Sequence, residues 1–252
     1  MDKEQAFIVS DIHGCFAEFL EITSNNWDRD KQLLIINGDL VDRGYASDVV
    51  MILTYKLVTS GLAVVNWGNH DRMLYDFLGC DPDSQPDEFW DMYNVWYHQG
   101  GRETSASILS LPSGDVDAMS SVRLQKELKK HEYIKDLMGL MNWYYEFGDS
   151  IVVHAGIPYS HQEHYQRTPK LDFIWERGFH NLPNQTGKTI ISGHTPARFI
   201  HDTDDVWHNE AKDIYMIDGG CAYNGQLNGV VIDLKGNVIE THSVPAVTRK
   251  QD

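Results

Sequence analysis

The stretch Gly38-Asp39-Leu40-Val41-Asp42-Arg43-Gly44 decides the fold, and it directly follows a short apolar run at residues 33–36. A run of leucine and isoleucine that is closed by a glycine is typical of a buried β-strand rather than of a helix. The two carboxylates and the arginine therefore follow the carboxyl end of a predicted strand. Functional groups gather at this end of the strands in parallel α/β sheets.

The same pattern recurs along the chain, because other short apolar runs also end in glycine and polar residues. Segments of helical length, residues 15–25 and 47–59, separate the early runs, which predicts βαβ units and a sheet that is at least partly parallel. Residues 214–217, 229–234 and 238–244 are expected to close the fold as antiparallel strands. The other runs and the polar residues that follow them are 6–9 with Asp11 and His13, 62–65 with Asn69 and His70, 151–153 with His154, and 189–191 with His194.

The length of 252 residues suits one α/β domain, residues 1–252, better than two independent ones. Residues 79–145 differ from the rest, because an acidic part with two prolines is followed by a part rich in glycine and serine, and then by charged residues at helical spacing. We therefore expect a mostly helical insertion within the domain.

Charge and cysteine content exclude several classes of protein. A net charge of −16 disfavours nucleic acid and anionic membranes as partners, so an anionic substrate would need a local source of attraction such as bound cations. The three cysteines form no disulfide framework or zinc ribbon, and no apolar run is long enough for a signal peptide or a membrane span. We expect a cytoplasmic protein.

The polar residues after the strands form a set of metal ligands. Carboxylate, imidazole and amide groups together suit Mn, Fe, Zn or Ni better than Ca or Mg. Asp11 and His13 are two residues apart, so in extended backbone they would project to the same side and hold one ion. Six donors suffice for two ions roughly 3.5–4 Å apart if one carboxylate bridges them. The predicted ligands are Asp11, His13, Asp39, Asn69, His154 and His194.

The ordered motifs Asp11-Ile12-His13-Gly14, Gly38 to Gly44, Gly68-Asn69-His70-Asp71, His154-Ala155-Gly156 and Gly193-His194 resemble those of the phosphoprotein phosphatase family. The resemblance runs from about residue 6 to residue 235. It implies a calcineurin-like β-sandwich of mixed sheets flanked by helices, and a binuclear centre that most often holds Mn. It also implies that Asp11 and His13 bind the first ion, that Asp39 bridges, and that Asn69, His154 and His194 complete the second position.

The resemblance also assigns catalytic roles. A hydroxide shared by the metals would attack phosphorus in line, and His70 would protonate the departing oxygen with Asp42 as its carboxylate partner. Arg43 would hold the phosphoryl oxygens, together with Arg177 of the Trp175-Glu176-Arg177 triplet. Tyr223, which follows Asp218-Gly219-Gly220-Cys221, would lie near the substrate.

Two departures from the family pattern bear on the substrate, namely Trp67 in place of an arginine and Asp71 in place of a glutamate. Symmetrical diadenosine tetraphosphate hydrolases typically lack an aspartate at position 42 and carry proline at position 45, whereas this chain has Asp42 and Tyr45. The sequence thus favours a phosphatase that acts on phosphoprotein or a small phosphoester. The alternatives are a dinucleotide polyphosphate hydrolase and an inactive metal-binding interaction module.

Overall fold

A computed structural model describes residues 3–247 and shows two five-stranded sheets. In the first sheet, β1 runs parallel to β2, β2 runs parallel to β3, and β9 and β10 add to β1 as antiparallel strands. The expected antiparallel closure by the last two strands is therefore confirmed. The strands of this sheet, in spatial order, are β10 (Val238–Pro245), β9 (Gln226–Asp233), β1 (Gln5–Val9), β2 (Gln32–Ile36) and β3 (Ala63–Val65).

The second sheet has a parallel centre with an antiparallel strand at each edge. Its spatial order is β4 (Tyr144–Phe147), β5 (Ser150–Val153), β6 (Thr189–Ser192), β8 (Ile214–Met216) and β7 (Trp207–His208). The expectation that residues 214–217 form an antiparallel closing strand is wrong, because β8 lies parallel to β6 with Ile190 opposite Ile214. Residues 193–213 are long enough to cross over and bring the chain back in the same direction.

The central strands of the first sheet are buried on both faces. Along β1, Ala6 and Ile8 face the second sheet, while Phe7 and Val9 face the helices on the outside, and all four side chains are inaccessible to solvent. Burial on both faces explains why the strand is a continuous apolar run rather than an alternating one. Each fully buried Ile or Phe contributes about 1.5–3 kcal/mol to folding.

Helices cover the outer faces, which gives the four-layer arrangement of mixed sheets flanked by helices that was predicted. Side chains of α1, α2 and α3 pack with Phe7 and Val9, and α9 covers the second sheet next to Ile151 and Val153. No helix among residues 3–247 is both long enough and apolar enough to cross a membrane. The bounds are α1 Phe16–Asn26, α2 Ser47–Thr59, α3 Asn69–Gly79 and α9 Asp172–Trp175.

The segment between α3 and β4 carries five further helices, which pack against α2 and α3. They are α4 (Pro86–Trp96), α5 (Arg102–Leu109), α6 (Ser113–Asp117), α7 (Ser121–Leu128) and α8 (Glu132–Met138). A kinked turn, Tyr97–Gly101, joins α4 to α5, and Gly100 within it has non-helical backbone. The interpretation of residues 79–145 as an insertion within a single domain stays a prediction.

Buried amides join the two sheets below the edge at which the parallel strands end. Asn37 Nδ2 donates to the carbonyl of Val153 at 2.9 Å, and Asn66 Nδ2 donates to the Asn37 side-chain oxygen at 2.9 Å and to the carbonyl of Val152 at 3.0 Å. Because both amides are fully buried, these bonds fix the ends of β2 and β3 against the end of β5. The polar loops of both sheets thereby meet in one place.

Candidate metal centre

Four of the six predicted ligands lie in backbone that non-glycine residues rarely adopt. The φ angles are 55° at Asp11, 46° at His13, 52° at Asp39 and 66° at His194. The interpretation that Asp11 and His13 share a side because the backbone is extended is therefore wrong. The loop after β1 turns back on itself, and strain of this kind is concentrated at functional sites.

Close contact between backbones holds these turns. A Cβ atom added to Gly44 would lie 1.9 Å from the carbonyl oxygen of His13, and one added to Gly68 would lie 2.1 Å from the amide nitrogen of Asp39. No side chain fits at either glycine without displacing the neighbouring loop. The Gly44 and Gly68 loops therefore locate His13 and Asp39 through the main chain.

Asp71 organises the loop that carries Asp39. Its carboxylate accepts hydrogen bonds from the amides of Asp39 at 2.8 Å, Leu40 at 3.0 Å and Gly68 at 3.0 Å. The shorter acid at this position is thus a structural group that fixes a ligand-bearing turn. The sequence shows only that Asp71 departs from the family pattern.

One group of donor atoms gathers around Asn69. The Asn69 side-chain oxygen lies 3.1 Å from His154 Nε2 and 2.9 Å from His194 Nδ1, and Asp39 Oδ2 lies 3.4 Å from His154 Nε2. His154 Nδ1 donates to the carbonyl of Asn37 at 2.9 Å, so Nε2 is the nitrogen that faces the group. His194 Nε2 is buried and has no hydrogen-bond partner among the described residues. Such a convergence of lone pairs fits a cation.

A second group shares Asp39. His13 Nε2 lies 3.4 Å from Asp39 Oδ2, while His13 Nδ1 donates to the carbonyl of Val41 at 2.7 Å and so fixes the ring. His70 also offers a nitrogen within reach of this group. Asp39 is common to both groups, which fits a carboxylate that serves two ions.

Asp11 is placed differently from the other five predicted ligands. Its carboxylate accepts the backbone N–H of His194 at 3.0 Å and the hydroxyl of Ser10 at 2.6 Å. Within residues 3–247, neither group of mutually close donor atoms includes it. Its role as a ligand stays a prediction, and its observed contact is to the loop that carries His194.

The electrostatics of the site depend on burial and on its mixed charges. Burial lowers the pKa of His13 well below its ordinary value and that of His194 to about 2, so both rings are neutral at pH 7. Burial acts in the same direction on His154, but Asp39 and Asp11 outweigh it and raise the pKa of His154 to about 10. The two carboxylates thus favour a positive charge at this end of the site.

A buried acid–base pair lies beside the metal ligands. His70 Nδ1 and Asp42 Oδ2 are 2.7 Å apart, and both side chains are almost inaccessible to solvent. Arg43 lies against this pair, with its guanidinium nitrogens 2.6 Å from His13 Nε2 and 2.7 Å from His70 Nε2. The ring of Tyr223 is 4.9 Å from the Arg43 Cζ atom.

The predicted substrate-binding residues line two connected spaces at this edge. An inner pocket of about 220 Å³ and an outer cavity of about 470 Å³ share Arg43, Arg177 and His194. Arg177 donates to the Thr195 hydroxyl at 3.1 Å, and Tyr223 lines the outer cavity. The structure therefore brings together His70, Asp42, Arg43, Arg177 and Tyr223 as expected from the motifs.

Comparison with known proteins agrees with this arrangement. Residues 6–223 match the model of a family described as calcineurin-like phosphoesterase. The chain belongs to this family. The family uses a pair of divalent metal ions, and the aspartate and histidine groups described above fit that pair. The protein is accordingly a metal-dependent phosphoester hydrolase.

Several curated relatives share one name. The chain is 38% identical over 268 residues to the bis(5'-nucleosyl)-tetraphosphatase PrpE [asymmetrical] of Geobacillus sp. (strain WCH70), covering 95% of this chain and 93% of the relative. It is 27% identical to the protein of that name from Anoxybacillus flavithermus, with 95% and 93% covered. A symmetrical bis(5'-nucleosyl)-tetraphosphatase of Wigglesworthia glossinidia brevipalpis is 23% identical, with 91% and 96% covered.

Solved structures support the fold. A structure assigned provisionally as a diadenosine tetraphosphatase matches with a TM-score of 0.60 at 19% identity, covering 98% of this chain and 96% of the other. A cold-active protein-tyrosine phosphatase of a Shewanella species matches with a TM-score of 0.57 at 16% identity, covering 95% and 80%. At these identities the matches show the shared architecture alone.

Three residues near the site carry no signal in the sequence. Trp96 and Thr104 lie in the helical segment and contact Asp42, and Phe199 lines the outer cavity. None of them belongs to a motif or follows a predicted strand directly. Only their place in the folded chain connects them to the site.

Proposed function

We propose that this phosphoesterase hydrolyses dinucleoside polyphosphates with a pair of divalent ions, Mn²⁺ in the first instance. The sequence alone favours a phosphatase that acts on phosphoprotein, with a dinucleotide polyphosphate as the alternative substrate. The present proposal reverses that order. The names of the relatives support it. The observation that carries it is the outer cavity, which adjoins the inner pocket and shares Arg43, Arg177 and His194 with it.

The outer cavity has the size and lining of a nucleoside site. Its volume of about 470 Å³ lies in the usual range for small-molecule pockets. Phe199 is 77% exposed and Tyr223 is 50% exposed at its wall, and exposed aromatic rings of this kind stack on nucleobases. A base held there would leave its phosphate chain pointing past His194 into the inner pocket.

Charge also favours a polyphosphate. Although the chain carries a net charge of −16, three arginines surround the outer cavity. Arg198 forms a bidentate ion pair with Asp204, with Nε and Nη2 at 2.5 Å and 2.7 Å from its two carboxylate oxygens, so Arg43 and Arg177 are the arginines proposed to bind phosphate. Guanidinium groups suit this task because they donate two hydrogen bonds to phosphoryl oxygens.

The protein's own side chains divide the reaction among them. When bound, the metal pair supplies a water-derived nucleophile near neutral pH and neutralises charge on the phosphoryl group. Arg43 and Arg177 hold the phosphoryl oxygens, and His70 donates a proton from Nε2 to the departing phosphate oxygen. The Nδ1–H of His70 remains bonded to Asp42, which fixes the orientation of the ring.

A phosphoprotein substrate is the second candidate. It is favoured by the presence of Asp42 and by Tyr45, which stands where dinucleotide hydrolases of the resembled family typically carry proline. Tyr45 is 52% exposed, so it could contact a protein ligand.

The deciding experiment compares kcat/KM for diadenosine tetraphosphate with that for phosphoserine, phosphothreonine and phosphotyrosine peptides in the presence of Mn²⁺. We expect a preference of at least about 100-fold for the dinucleotide, together with an increase of about tenfold in its KM in Phe199→Ala. Trp90→Ala is the matched control, since Trp90 is also exposed but lies on α4 away from the cavity. Faster turnover of a phosphopeptide would refute the proposal.

Product analysis in the same experiment separates two cleavage modes. Asymmetrical cleavage of diadenosine tetraphosphate releases ATP and AMP, whereas symmetrical cleavage releases two molecules of ADP. The relatives named above include both modes, and the 38% identical one is named asymmetrical. We expect ATP and AMP.

A further inference from the structure

The helical segment between α3 and β4 reaches the acid–base pair through two side chains. Trp96 Nε1 donates to Asp42 Oδ1 at 3.1 Å, and the Thr104 hydroxyl donates to the same oxygen at 2.7 Å. Trp96 is the last residue of α4 and Thr104 lies in the first turn of α5. The carboxylate beside His70 is therefore held from outside the motif that contains it.

Every polar atom of Asp42 has a hydrogen-bond partner, and its backbone carbonyl accepts from the Gly44 N–H at 2.8 Å. Oδ2 faces His70 Nδ1 at 2.7 Å, Oδ1 accepts from Trp96 and Thr104, and the backbone N–H of Asp42 donates to Thr104 Oγ1 at 2.8 Å. Thr104 is thus a donor to the side chain and an acceptor from the main chain of the same residue. Two donors on Oδ1 leave Oδ2 to His70 and fix the plane of the carboxylate.

Packing fixes Trp96 in turn. Its side chain is fully buried and stacks on Phe77 of α3, with ring centroids 4.9 Å apart and an interplanar angle of 22°. A Cβ atom at Gly101 would lie 2.5 Å from the indole ring, so only glycine lets the chain pass. The indole therefore has one position in which its N–H points at Asp42.

The kink at Gly100 brings the main chain of this segment against the loop that carries Asp42 and Arg43. Gly100 has a φ of 118°, and a Cβ atom there would lie 2.4 Å from the backbone nitrogen of Arg43. This backbone conformation is non-helical and favours glycine, and it redirects the chain between the two helices. Here the redirection seats α4 and α5 on either side of Asp42.

We propose that Trp96 and Thr104 are positioning residues for proton transfer. Within the helical segment, α4 and α5 (residues 86–109) serve to orient His70 through Asp42. The inference rests on the proposed role of His70 as the proton donor to the leaving group. A buried carboxylate that loses a donor can rotate, and the imidazole that it orients then loses alignment with the departing oxygen. The effect is on the chemical step rather than on substrate or metal binding.

The test uses two variants that keep most of the side-chain volume. Thr104→Val removes the donor to Asp42 Oδ1 and the acceptor of the Asp42 backbone N–H, and Trp96→Phe removes one donor. We expect kcat to fall about 10- to 100-fold with KM nearly constant, a size typical of residues that orient a catalytic group. The loss should be larger for alkyl phosphates than for p-nitrophenyl phosphate, because a good leaving group needs less protonation. Thr104→Ser, which keeps the hydroxyl, should recover most of the rate.

Matched controls come from the same chain. Thr54 is fully buried in α2 and its hydroxyl has no hydrogen-bond partner among the described residues, so Thr54→Val reports the cost of the substitution itself. Trp90 lies on an exposed face of α4, so Trp90→Phe reports the cost of replacing an indole by a phenyl ring. Both controls should keep the rates of the parent protein. Losses as large as those of Thr104→Val and Trp96→Phe would refute the positioning role.

Two further measurements separate positioning from folding and from the choice of substrate. In a His70→Asn background, Thr104→Val should cause no additional loss, because residues that act through one group are not additive. The downfield proton resonance of the His70 Nδ1–H should shift or broaden in Thr104→Val, and this readout requires no turnover. A full additional loss, or an unchanged resonance, would overturn the inference, whereas failure to cleave diadenosine tetraphosphate would refute only the proposed substrate.

Discussion

The strand-end loops and the helical segment 86–138 border the same site, but they are built in opposite ways. In the loops, main-chain contacts fix the functional groups, as where Gly68 lies against Asp39 and Asp71 accepts three backbone amides. The helical segment instead acts through side chains, namely the indole of Trp96 and the hydroxyl of Thr104. Where the metal ligands lie is thus set by backbone geometry, and how the acid is oriented is set by side-chain hydrogen bonds.

This difference predicts separable failures. A change in the loops should remove metal and activity together. Loss of the Trp96 or Thr104 hydrogen bond should instead slow proton transfer while metal binding persists, and a change elsewhere in the helical segment should do neither. Three substitutions test the contrast, beginning with the one of largest effect.

Asp39→Asn should have the largest effect because Asp39 belongs to both groups of donor atoms. The neutral amide keeps an oxygen for the backbone N–H of His70, which lies 2.9 Å from Asp39 Oδ1, so the fold should survive. We expect kcat to fall by about 10³-fold or more and metal content to drop below that of the parent protein. Rates and metal analysis close to those of the parent would contradict the bridging role of Asp39.

Gly68→Ala should have an intermediate effect, and it isolates the backbone contact from the chemistry. The φ of Gly68 is −106°, so alanine is not strained there, but its Cβ would meet the Asp39 amide and side chain at 2.1 Å. We expect destabilisation by about 1–3 kcal/mol, as for other overpacked sites, and weaker metal binding. Gly79→Ala is the control because nothing lies within 4 Å of its added Cβ. Equal metal affinity in the two variants would show that the loop adapts freely.

Asp117→Asn should have the smallest effect, since it removes an exposed ion pair of the helical segment. Asp117 lies 2.8 Å from Arg102 and 2.7 Å from the Tyr97 hydroxyl, and these hydrogen bonds lower the pKa of Asp117 to about 2. Both charged side chains are about two-fifths exposed, so the pair should contribute less than about 1 kcal/mol. Activity and metal content should not change.

The contribution of Asp117 to the stability of the protein depends on pH, because folding lowers the pKa of its carboxyl group. A carboxyl whose pKa is lower in the folded protein stabilises it fully above the unfolded value near 4. The contribution of Asp117 is therefore lost as the pH falls from about 4 towards 2. The free energies of unfolding of the parent and of Asp117→Asn, measured with denaturant, should differ least at the acid end of this range. A difference that grows on acidification would contradict the assignment.

Much of the fold could be predicted because the apolar runs are short and end in glycine. The strand at residues 33–36 and the helix at 47–59 lie within one residue of β2 and α2. The direction of β8 could not be predicted, since a short apolar run is equally compatible with parallel and antiparallel pairing. The positive φ angles of Asp11 and His13 could not be predicted either, because a spacing of two residues does not fix φ.

The sequence by itself determined which side chains gather at the candidate metal centre, since Asp39, His154 and His194 follow strand ends and parallel strands bring those ends to one edge. Only the tertiary structure decided how the groups are oriented and what faces them. The bonds from Trp96 and Thr104 to Asp42 join residues 54 and 62 positions apart. The outer cavity brings Phe199 to Arg43 from a still greater distance along the chain, and no sequence motif links either set. Such contacts depend on packing, whose geometry is set by all the neighbouring side chains at once rather than by any local pattern.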